Sequence, residues 1–158
     1  IYNDNSSAAS VVKCRFVNNR APTGGAIYND NMFTIDQSSL ENNSSSGDGG
    51  AVFNTDGSSF VVKNSEFENN TAVGNGGGFY NHGLATVLNS NIRKNSGVLG
   101  GGLANFTPGS LSVISSKVVK NTATFGVGGG GGIYSTNSSL TLEDSHVAHN
   151  TPDQVVEL

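Results

Sequence analysis

The sequence predicts an all-β protein, a parallel β-helix (solenoid) of about six coils, each of about 26 residues with three short strands. Three observations support this prediction. A glycine-rich motif recurs along the chain at intervals of 24 to 30 residues. Between its copies, apolar and polar residues alternate at period two, which is typical of strands. The 158 residues also include 22 glycines, 21 asparagines and 21 serines, three residue types that disfavour helix interiors.

The first motif consists of two glycines, a small residue, an apolar residue, usually an aromatic ring, and asparagine or serine. Its five copies are residues 24–29, 49–54, 76–81, 100–105 and 130–135, and residues 1–3 match the end of a further copy. A solenoid needs a tight corner in every coil, and glycine adopts the positive φ angles of such a corner at the least steric cost. The motif therefore predicts one glycine corner per coil.

The second motif is an apolar residue followed, three positions later, by asparagine. Its six copies are residues 16–19, 40–43, 67–70, 92–95, 118–121 and 147–150. A small residue, a cysteine in the first copy and serine afterwards, lies two positions before the apolar residue. Strands this short cannot pair within their own repeat, but they can pair with the equivalent strand of the next repeat and bury a continuous core.

The asparagines fall into two columns, one from each motif. Stacked asparagine side chains can hydrogen-bond from coil to coil and form a ladder. We therefore predict two structural ladders. The first contains Asn19, Asn43, Asn70, Asn95, Asn121 and Asn150. The second contains Asn3, Asn29, Asn54, Asn81 and Asn105, with Ser135 in the last place.

The two motifs together resemble the repeats of the chlamydial polymorphic outer membrane proteins and their bacterial relatives. Residues 24–27 read Gly-Gly-Ala-Ile and residues 16–19 read Phe-Val-Asn-Asn, and the resemblance extends over the whole chain in six copies. It implies a right-handed parallel β-helix of the pectin-lyase-like superfamily. It also implies a bacterial protein at the outer surface of the cell or secreted from it, with a role in adhesion as a passenger domain.

Composition and charge narrow the possible partners. The net charge is −4 with only eight Lys and Arg, so the chain has no general basic surface for nucleic acid. No apolar stretch approaches the ~18 residues of a membrane span. Residues 1–158 are expected to form a single segment of a longer repeat protein or the subunit of a filament. The expected partners are further copies or neighbouring repeats, through end-to-end or lateral association, and a glycan or another cell-surface ligand.

Candidate chemistry is sparse, and each candidate has a simpler structural explanation. Glu41 and Glu68 fall on neighbouring coils with Glu66 on the same face, which could place two carboxyl groups at the separation used by glycosidases. The alternative is an ordinary solvated face. His146 and His149 lie three residues apart but have no evident third metal ligand. We therefore expect no catalytic residue, no cofactor and no metal.

Two smaller features belong to the repeat and to its longest corner. Cys14 occupies the column that serine holds elsewhere, and we expect it to be a buried, inert thiol. The longest corner, residues 122–129, carries Phe125 and is the best candidate for a specific contact.

Two surface patterns could serve recognition. An aromatic column should point outward between the buried positions of the first motif, where its rings could bind sugars or a partner, or stack on one another. Its members are Tyr2, Tyr28, Phe53, Tyr80 and Tyr134, with Ala104 at one coil. The alternative is an inverted facing, with the aromatic rings inside. The face of the second motif is acidic on early coils and basic on later ones, which could orient rods side by side. We call this change from acidic to basic along the rod the axial charge gradient, and it is the second of the two surface patterns.

These patterns favour a non-catalytic, extracellular structural or adhesin protein, either a rigid β-helical stalk or a fibre-forming subunit at the cell surface. The alternatives are a carbohydrate-active β-helix, such as a fragment of a polysaccharide lyase or hydrolase, and a carbohydrate-binding module. The enzyme would need acidic side chains from adjacent coils converging beside a groove.

Overall fold

The computed structural model describes residues 1–158 and contains strands and turns but no helix. Twenty-four strands form four parallel sheets, which we call A, B, C and D in the order in which the chain first visits them. Each coil passes through A, B, C and D and then returns to A, which makes a right-handed β-helix of about six turns. We number the coils 1 to 6 by successive strands of sheet A, and a seventh sheet A strand follows coil 6.

The strand bounds show how regular the coils are. Sheet A contains Tyr2–Asn3, Ile27–Asn29, Val52–Asn54, Phe79–Asn81, Leu103–Phe106, Ile133–Thr136 and Val155–Glu157. Sheet B contains Ala9–Val12, Met32–Asp36, Ser59–Lys63, Leu84–Leu88, Ser110–Ile114 and Ser139–Glu143. Sheet C contains Arg15–Val17, Ser39–Glu41, Glu66–Glu68, Asn91–Arg93, Lys117–Val119 and His146–Ala148. Sheet D contains Arg20–Ala21, Ser44–Ser45, Thr71–Ala72, Ser96–Gly97 and Thr122–Ala123.

Sheet D refines the expectation of three strands per coil. Its strands are only two residues long, so the alternation that marks a strand in the sequence never completes one period there. In the structure these residues pair in parallel, for example Thr71 with Ser44. The last coil reaches sheet D only as a single bridge between Thr122 and Thr151.

Equivalent positions of successive coils lie directly opposite one another. In sheet B, Phe60 pairs with Phe33 on one side and with Ala85 on the other. The inward side chains of sheets A, B and C merge into one core cluster of 19 buried residues. The apolar 35% of the residues therefore suffice for a continuous core, because they fall in register from coil to coil.

Each coil turns through left-handed backbone positions at three corners. Between sheets B and C the positive-φ residues are Lys13, Gln37, Asn64, Asn89, Ser115 and Asp144. Between sheets C and D they are Asn18, Asn42, Asn69, Lys94, Lys120 and His149. Between sheets D and A they are the motif glycines Gly24, Gly49, Gly76, Gly100 and Gly130. The C–D corner residue is the one immediately before the ladder asparagine.

The second motif glycine is needed for close approach of the coils. A Cβ atom on Gly50 would lie 2.1 Å from the carbonyl oxygen of Gly77, and one on Gly77 would lie 2.3 Å from that of Gly101. These glycines do not have positive φ angles, so the lack of space alone excludes a side chain.

The expectation of a buried Cys14 is wrong, because the thiol is exposed. The serines of the same column, Ser38 to Ser116, are enclosed by a coil on each side and are 5% exposed or less. Cys14 belongs to coil 1, and only coil 2 covers it.

No helix is present that is long and apolar enough to cross a membrane.

Candidate functional site

The first asparagine ladder runs along the inside of sheet A. The Nδ2 of each asparagine donates to the Oδ1 of the next, beginning with Asn3 to Asn29 at 2.6 Å and continuing to Asn105 at 2.8 Å. At the last coil Asn105 donates to the hydroxyl of Ser135 at 3.1 Å. The predicted ladder is therefore present, and Ser135 takes the place of the sixth amide.

The second ladder lies at the corner between sheets C and D and is denser. Each Oδ1 accepts both the backbone N–H and the Nδ2 of the preceding asparagine, as Asn70 does from Asn43 at 2.9 and 3.0 Å. The Nδ2 of Asn70 also donates to the carbonyl of Leu40 at 2.9 Å. The ladder reaches Asn150, whose backbone N–H and Nδ2 donate to Oε1 of Gln154. The sequence motif did not reveal Gln154, because it lies outside the repeat.

A third ladder consists of serines at the corner between sheets B and C. The backbone N–H of Ser38 donates to the hydroxyl of Ser65 at 3.0 Å, and that of Ser65 donates to the hydroxyl of Ser90 at 3.1 Å. Each hydroxyl in turn donates to the carbonyl two residues earlier, as Ser90 does to Leu88. The column was visible in the sequence as a small residue, but its hydrogen bonds were not predicted.

The aromatic column points outward as predicted, and its rings stack on one another. Ring centroids lie 5.1 Å apart for Tyr2 and Tyr28, 5.4 Å for Tyr28 and Phe53, and 4.8 Å for Phe53 and Tyr80. At the coil that has Ala104, the ring of Phe106 fills the gap, 5.3 Å from Tyr80. The sequence analysis missed Phe106 because it lies two residues further along the chain than the column position.

The stack also covers its own members. Phe106 lies 5.5 Å from Tyr134, so the column continues through coil 6. Tyr80 and Tyr134 are only 7% and 9% exposed. Burial raises the pKa of Tyr80 to about 12. Neighbouring rings occupy the faces that a sugar would need, so the column offers chiefly ring edges to a partner.

The candidate carboxylates are held by basic side chains of neighbouring coils. Arg15 Nη2 lies 2.6 Å from Glu41. Arg93 contacts both Glu66, at 2.5 Å, and Glu68, while Lys94 Nζ lies 3.0 Å from Glu68. The hydrogen bond from Arg15 lowers the pKa of Glu41 below its ordinary value. These pairs offset much of the predicted axial gradient on this face.

The remaining charge asymmetry runs across the rod. We define the acidic side as sheet A with its two flanking corners, and the basic side as sheet C with its two corners and the adjoining ends of sheets B and D. The acidic side contains Asp4, Asp30, Asp48, Asp56, Asp153 and Glu157 and no Lys or Arg. The basic side contains all eight cations, Lys13, Arg15, Arg20, Lys63, Arg93, Lys94, Lys117 and Lys120. It also contains six carboxylates, Asp36, Glu41, Glu66, Glu68, Glu143 and Asp144.

A shallow polar groove of about 810 Å³ follows the corner between sheets B and C. It extends along the coils from Lys13 to Lys117, and corner amides such as Gln37 and Asn89 contribute to its lining. Cys14 also lines it. The groove is open and lacks the enclosed apolar surface that is typical of small-molecule sites.

The other sequence candidates lie apart from this groove. His146 and His149 are exposed at coil 6. No group of three or more His, Cys, Asp or Glu side chains is placed to hold a metal ion. Phe125 is 66% exposed in the long corner, beside Val127 at 86%, and its role in a specific contact stays a prediction.

Comparison with known proteins identifies the fold family. A family model described as a right-handed β-helix region matches residues 1–156, nearly the whole chain. No curated protein and no solved structure matches the chain.

Proposed function

Because the chain belongs to the right-handed β-helix family, we propose that it is a non-catalytic structural rod outside the cell, either an adhesin stalk or a fibre subunit. Fold alone does not assign this role, since β-helices serve enzymes and non-enzymes alike. The observation that carries the proposal is the continuity of the two asparagine ladders through all six coils.

These ladders make the rod stiff. Each coil is fixed to the next by backbone pairing and, inside sheet A, by amide hydrogen bonds such as Asn54 to Asn81 at 2.8 Å. The Oδ1 of Asn91 is the single buried side-chain polar atom without a hydrogen-bond partner. A structure with its buried polar groups satisfied resists local opening, which suits a protein that transmits force or holds a distance.

The carboxylates favour a structural role over a hydrolytic one. A glycosidase acid needs a raised pKa so that it is protonated at its working pH. Glu41 instead has a lowered pKa beside Arg15, and Arg93 holds both Glu66 and Glu68. The pair with Arg15 keeps Glu41 ionised, and all of these pairs tie neighbouring coils together.

Mechanical unfolding tests the structural role. Chains held by their two termini in optical tweezers should resist extension and then open cooperatively. Asn95→Ala, which interrupts the buried ladder in its middle, should lower the unfolding force, whereas Asn19→Ala at the exposed end should change it little. Equal forces for all three proteins would contradict a load-carrying role for the ladder.

Surface location needs a separate experiment. Protease added to intact cells of the source organism should digest the protein, while a cytoplasmic marker stays whole. Protection of the protein until the cells are lysed would contradict the extracellular part of the proposal.

The polar groove between sheets B and C supports a second candidate, the binding of an extended polysaccharide. Its lining of amides and hydroxyls repeats once per coil, at ~4.8 Å, which could serve a chain of sugars. Purified protein should then be retained by one polysaccharide of a panel, and Asn89→Ala should weaken retention. Release of new reducing ends would indicate hydrolysis instead and would contradict the non-catalytic proposal.

A further inference from the structure

The acidic and basic sides of the rod differ strongly in charge. The acidic side has six carboxylates and no Lys or Arg. On the basic side, eight cations and six carboxylates leave a net charge of +2, so the two sides together account for the net −4 of the chain. Sheet B separates the two sides along one path around the coil and sheet D along the other.

Charges on the acidic side occur in two groups along the rod. Asp4, Asp30, Asp48 and Asp56 lie on coils 1 to 3 or the corners beside them. Asp153 and Glu157 lie at the seventh strand of sheet A. The sheet A segments of coils 4 to 6, between the two groups, carry no carboxylate.

Charges on the basic side alternate in sign along the rod. Three cations on coil 1 are Lys13, Arg15 and Arg20, and four on coils 4 and 5 are Arg93, Lys94, Lys117 and Lys120. Coils 2 and 3 between them carry Asp36, Glu41, Glu66 and Glu68 with Lys63, and coil 6 carries Glu143 and Asp144. Lys117 and Lys120 are exposed and form no ion pair within the chain.

We propose that a second copy of this chain packs beside the first in the antiparallel direction, with its basic side against the acidic side of its neighbour. In this arrangement the seventh sheet A strand lies beside coil 1, so that Asp48 and Asp56 beside coil 3 face Lys117 and Lys120 of coil 5. Asp30 of coil 2 is the one carboxylate that meets like charges, those of coil 6. Asp153 and Glu157 face the three cations of coil 1. The glutamates of coils 2 and 3 face the uncharged sheet A segments. The inference extends the structural role proposed above and rests on it.

The parallel arrangement matches poorly. It would place Asp30, Asp48 and Asp56 of one copy opposite Glu41, Glu66 and Glu68 of the other. Like charges in an interface suppress association, whereas complementary groups steer and orient it. The direction of packing is therefore encoded in the order of the charges along the two sides.

The aromatic column adds an uncharged component to the contact. It forms a ridge on the acidic side, where Tyr2 is 69% exposed and Tyr28 and Phe53 are half-buried. A face of six coils at ~4.8 Å and about six residues at ~3.3 Å covers about 600 Å² per copy. A total of about 1,200 Å² is at the lower limit for stable complexes, so the contact should be weak and sensitive to salt.

Each copy carries both sides, so the contact does not close on itself. The acidic side of the second copy and the basic side of the first remain free for further copies. Heterologous contacts of this type generate open assemblies. Rods are thus expected to form a lateral array in which neighbours point in alternate directions.

Charge reversal tests the proposal. The basic-side variant is Lys117→Glu with Lys120→Glu, and the acidic-side variant is Asp4→Lys with Asp56→Lys. All four side chains are exposed, so both variants should keep the far-ultraviolet circular dichroism of the unchanged protein. Sedimentation velocity at about 20 mM salt should show association of the unchanged protein, lost at about 500 mM because charges are then screened.

Mixing the variants gives the decisive outcome. Each variant alone places like charges at the positions where Asp56 meets Lys117 and Lys120, and should sediment as a monomer at low salt. An equimolar mixture should associate again, because the carboxylates introduced at positions 117 and 120 of one variant face the ammonium group introduced at position 56 of the other. Association of either variant alone, a monomeric mixture, or association unaffected by salt would overturn the proposal.

Crosslinking tests the direction. Cys14 is the only thiol, is exposed, and lies on the basic side of coil 1. With diamide as the oxidant, Glu157→Cys should form intermolecular disulfides with Cys14, since the antiparallel contact brings these positions together. Asp4→Cys, at the opposite end of the acidic side, should remain monomeric on a non-reducing gel. The reverse result would overturn antiparallel packing, and none of these outcomes alters the mechanical test of the single rod.

Discussion

Asn70 shows what one ladder residue does. Its Oδ1 accepts two hydrogen bonds from Asn43, and its Nδ2 donates to Leu40 and Asn95. Every one of these groups is buried away from water. The side chain therefore satisfies backbone groups that the tight corner leaves unpaired, a role that no apolar residue can take.

Asn70→Ala should lower the free energy of unfolding by about 3 kcal/mol, because it strands a buried N–H and a buried carbonyl at a typical cost of about 1–3 kcal/mol each. Asn19→Ala is the matched control. Asn19 is exposed and donates its side chain only to Asn43, so the loss should stay below about 1 kcal/mol. Urea denaturation measures both. Equal losses in the two variants would show that burial does not determine how much a ladder asparagine contributes to the free energy of unfolding.

The corner residues before the ladder have φ angles near +55°, as Lys120 does at 58°. A left-handed backbone costs most residues about 1–2 kcal/mol, while asparagine adopts it more readily. Lys120→Asn should therefore raise the free energy of unfolding by about 0.5–1 kcal/mol.

Lys117→Asn provides the control for that substitution. It removes the same charge from the same face, but Lys117 is a strand residue and has no positive φ angle. It should bring no gain in a urea titration. A gain of similar size in both variants would attribute the effect to charge and not to backbone strain.

Ladder asparagines could be predicted individually, because an amide at a fixed distance from an apolar residue repeats six times. The serine ladder could not, because a small residue in a column fits simple steric packing as well as hydrogen bonding. Gln154 could not be predicted from the sequence either, but for another reason. It caps the ladder once, and a residue that occurs once leaves no periodic signal.

The aromatic column is an element built from residues of every coil. Its continuity depends on Phe106, which links Tyr80 and Tyr134 across the coil that has Ala104. Phe106 lies two residues after Ala104 in the strand Leu103–Phe106, so both side chains are on the same face of the sheet. The fixed spacing of the first motif shows only alanine at this coil, so the sequence pattern did not reveal that Phe106 completes the column.

Phe106→Ala should lower the free energy of unfolding by about 2 kcal/mol, through lost burial and lost ring contacts. It should also uncover Tyr80. The pKa of Tyr80, now about 12, should fall toward the ordinary value of about 10, which an alkaline absorbance titration of tyrosinate measures. Because burial favours the neutral phenol, its contribution to stability is complete below about pH 10 and is lost as the pH rises through the folded-state pKa.

Phe125→Ala is the control for the column. Phe125 is 66% exposed and takes part in no ring contact, so its removal should cost less than about 0.5 kcal/mol and leave Tyr80 unchanged. If Phe125→Ala lowers the free energy of unfolding as much as Phe106→Ala does, packing of a ring within the column stabilises the protein no more than an exposed ring does.

Sheets A, B and C could be predicted because their inward residues alternate over three to five positions. Sheet D could not be predicted, because strands of two residues, such as Ser44–Ser45, are too short to show an alternating pattern. The ion pairs between neighbouring coils could not be predicted either. The sequence orders charges along the chain, but only the register of sheet C places Arg93 beside Glu68.

The rod as a whole is a linear stack, in which each coil touches only its neighbours. Stability in such a protein is the sum of coil and interface contributions, and the outer coils have one interface each. Their inward residues show this directly, since Leu142 of coil 6 is 43% exposed whereas Val62 and Val87 of the middle coils are 0% exposed.

Native-state hydrogen exchange should follow this order. Amides of Val62 and Val87 should exchange at least about tenfold more slowly than those of Val11 and Leu142, since about 1.4 kcal/mol of extra opening energy gives a factor of ten. Nuclear magnetic resonance measures the rates residue by residue. Uniform rates from end to end would indicate that the stack opens only as one unit.

The constant and variable parts of each coil have a consequence for how such a chain can change. The step from the sheet B core residue to the sheet C core residue is always seven positions, as in Phe33 to Leu40 or Phe60 to Phe67. Differences in repeat length fall at the two corners beside sheet A, including the corner with Phe125. Extra residues there leave every column in register, so these corners are natural acceptors for inserted peptides. A foreign epitope inserted after Gly126, in the corner that leads into sheet A, would leave the pairing in sheets B, C and D unchanged.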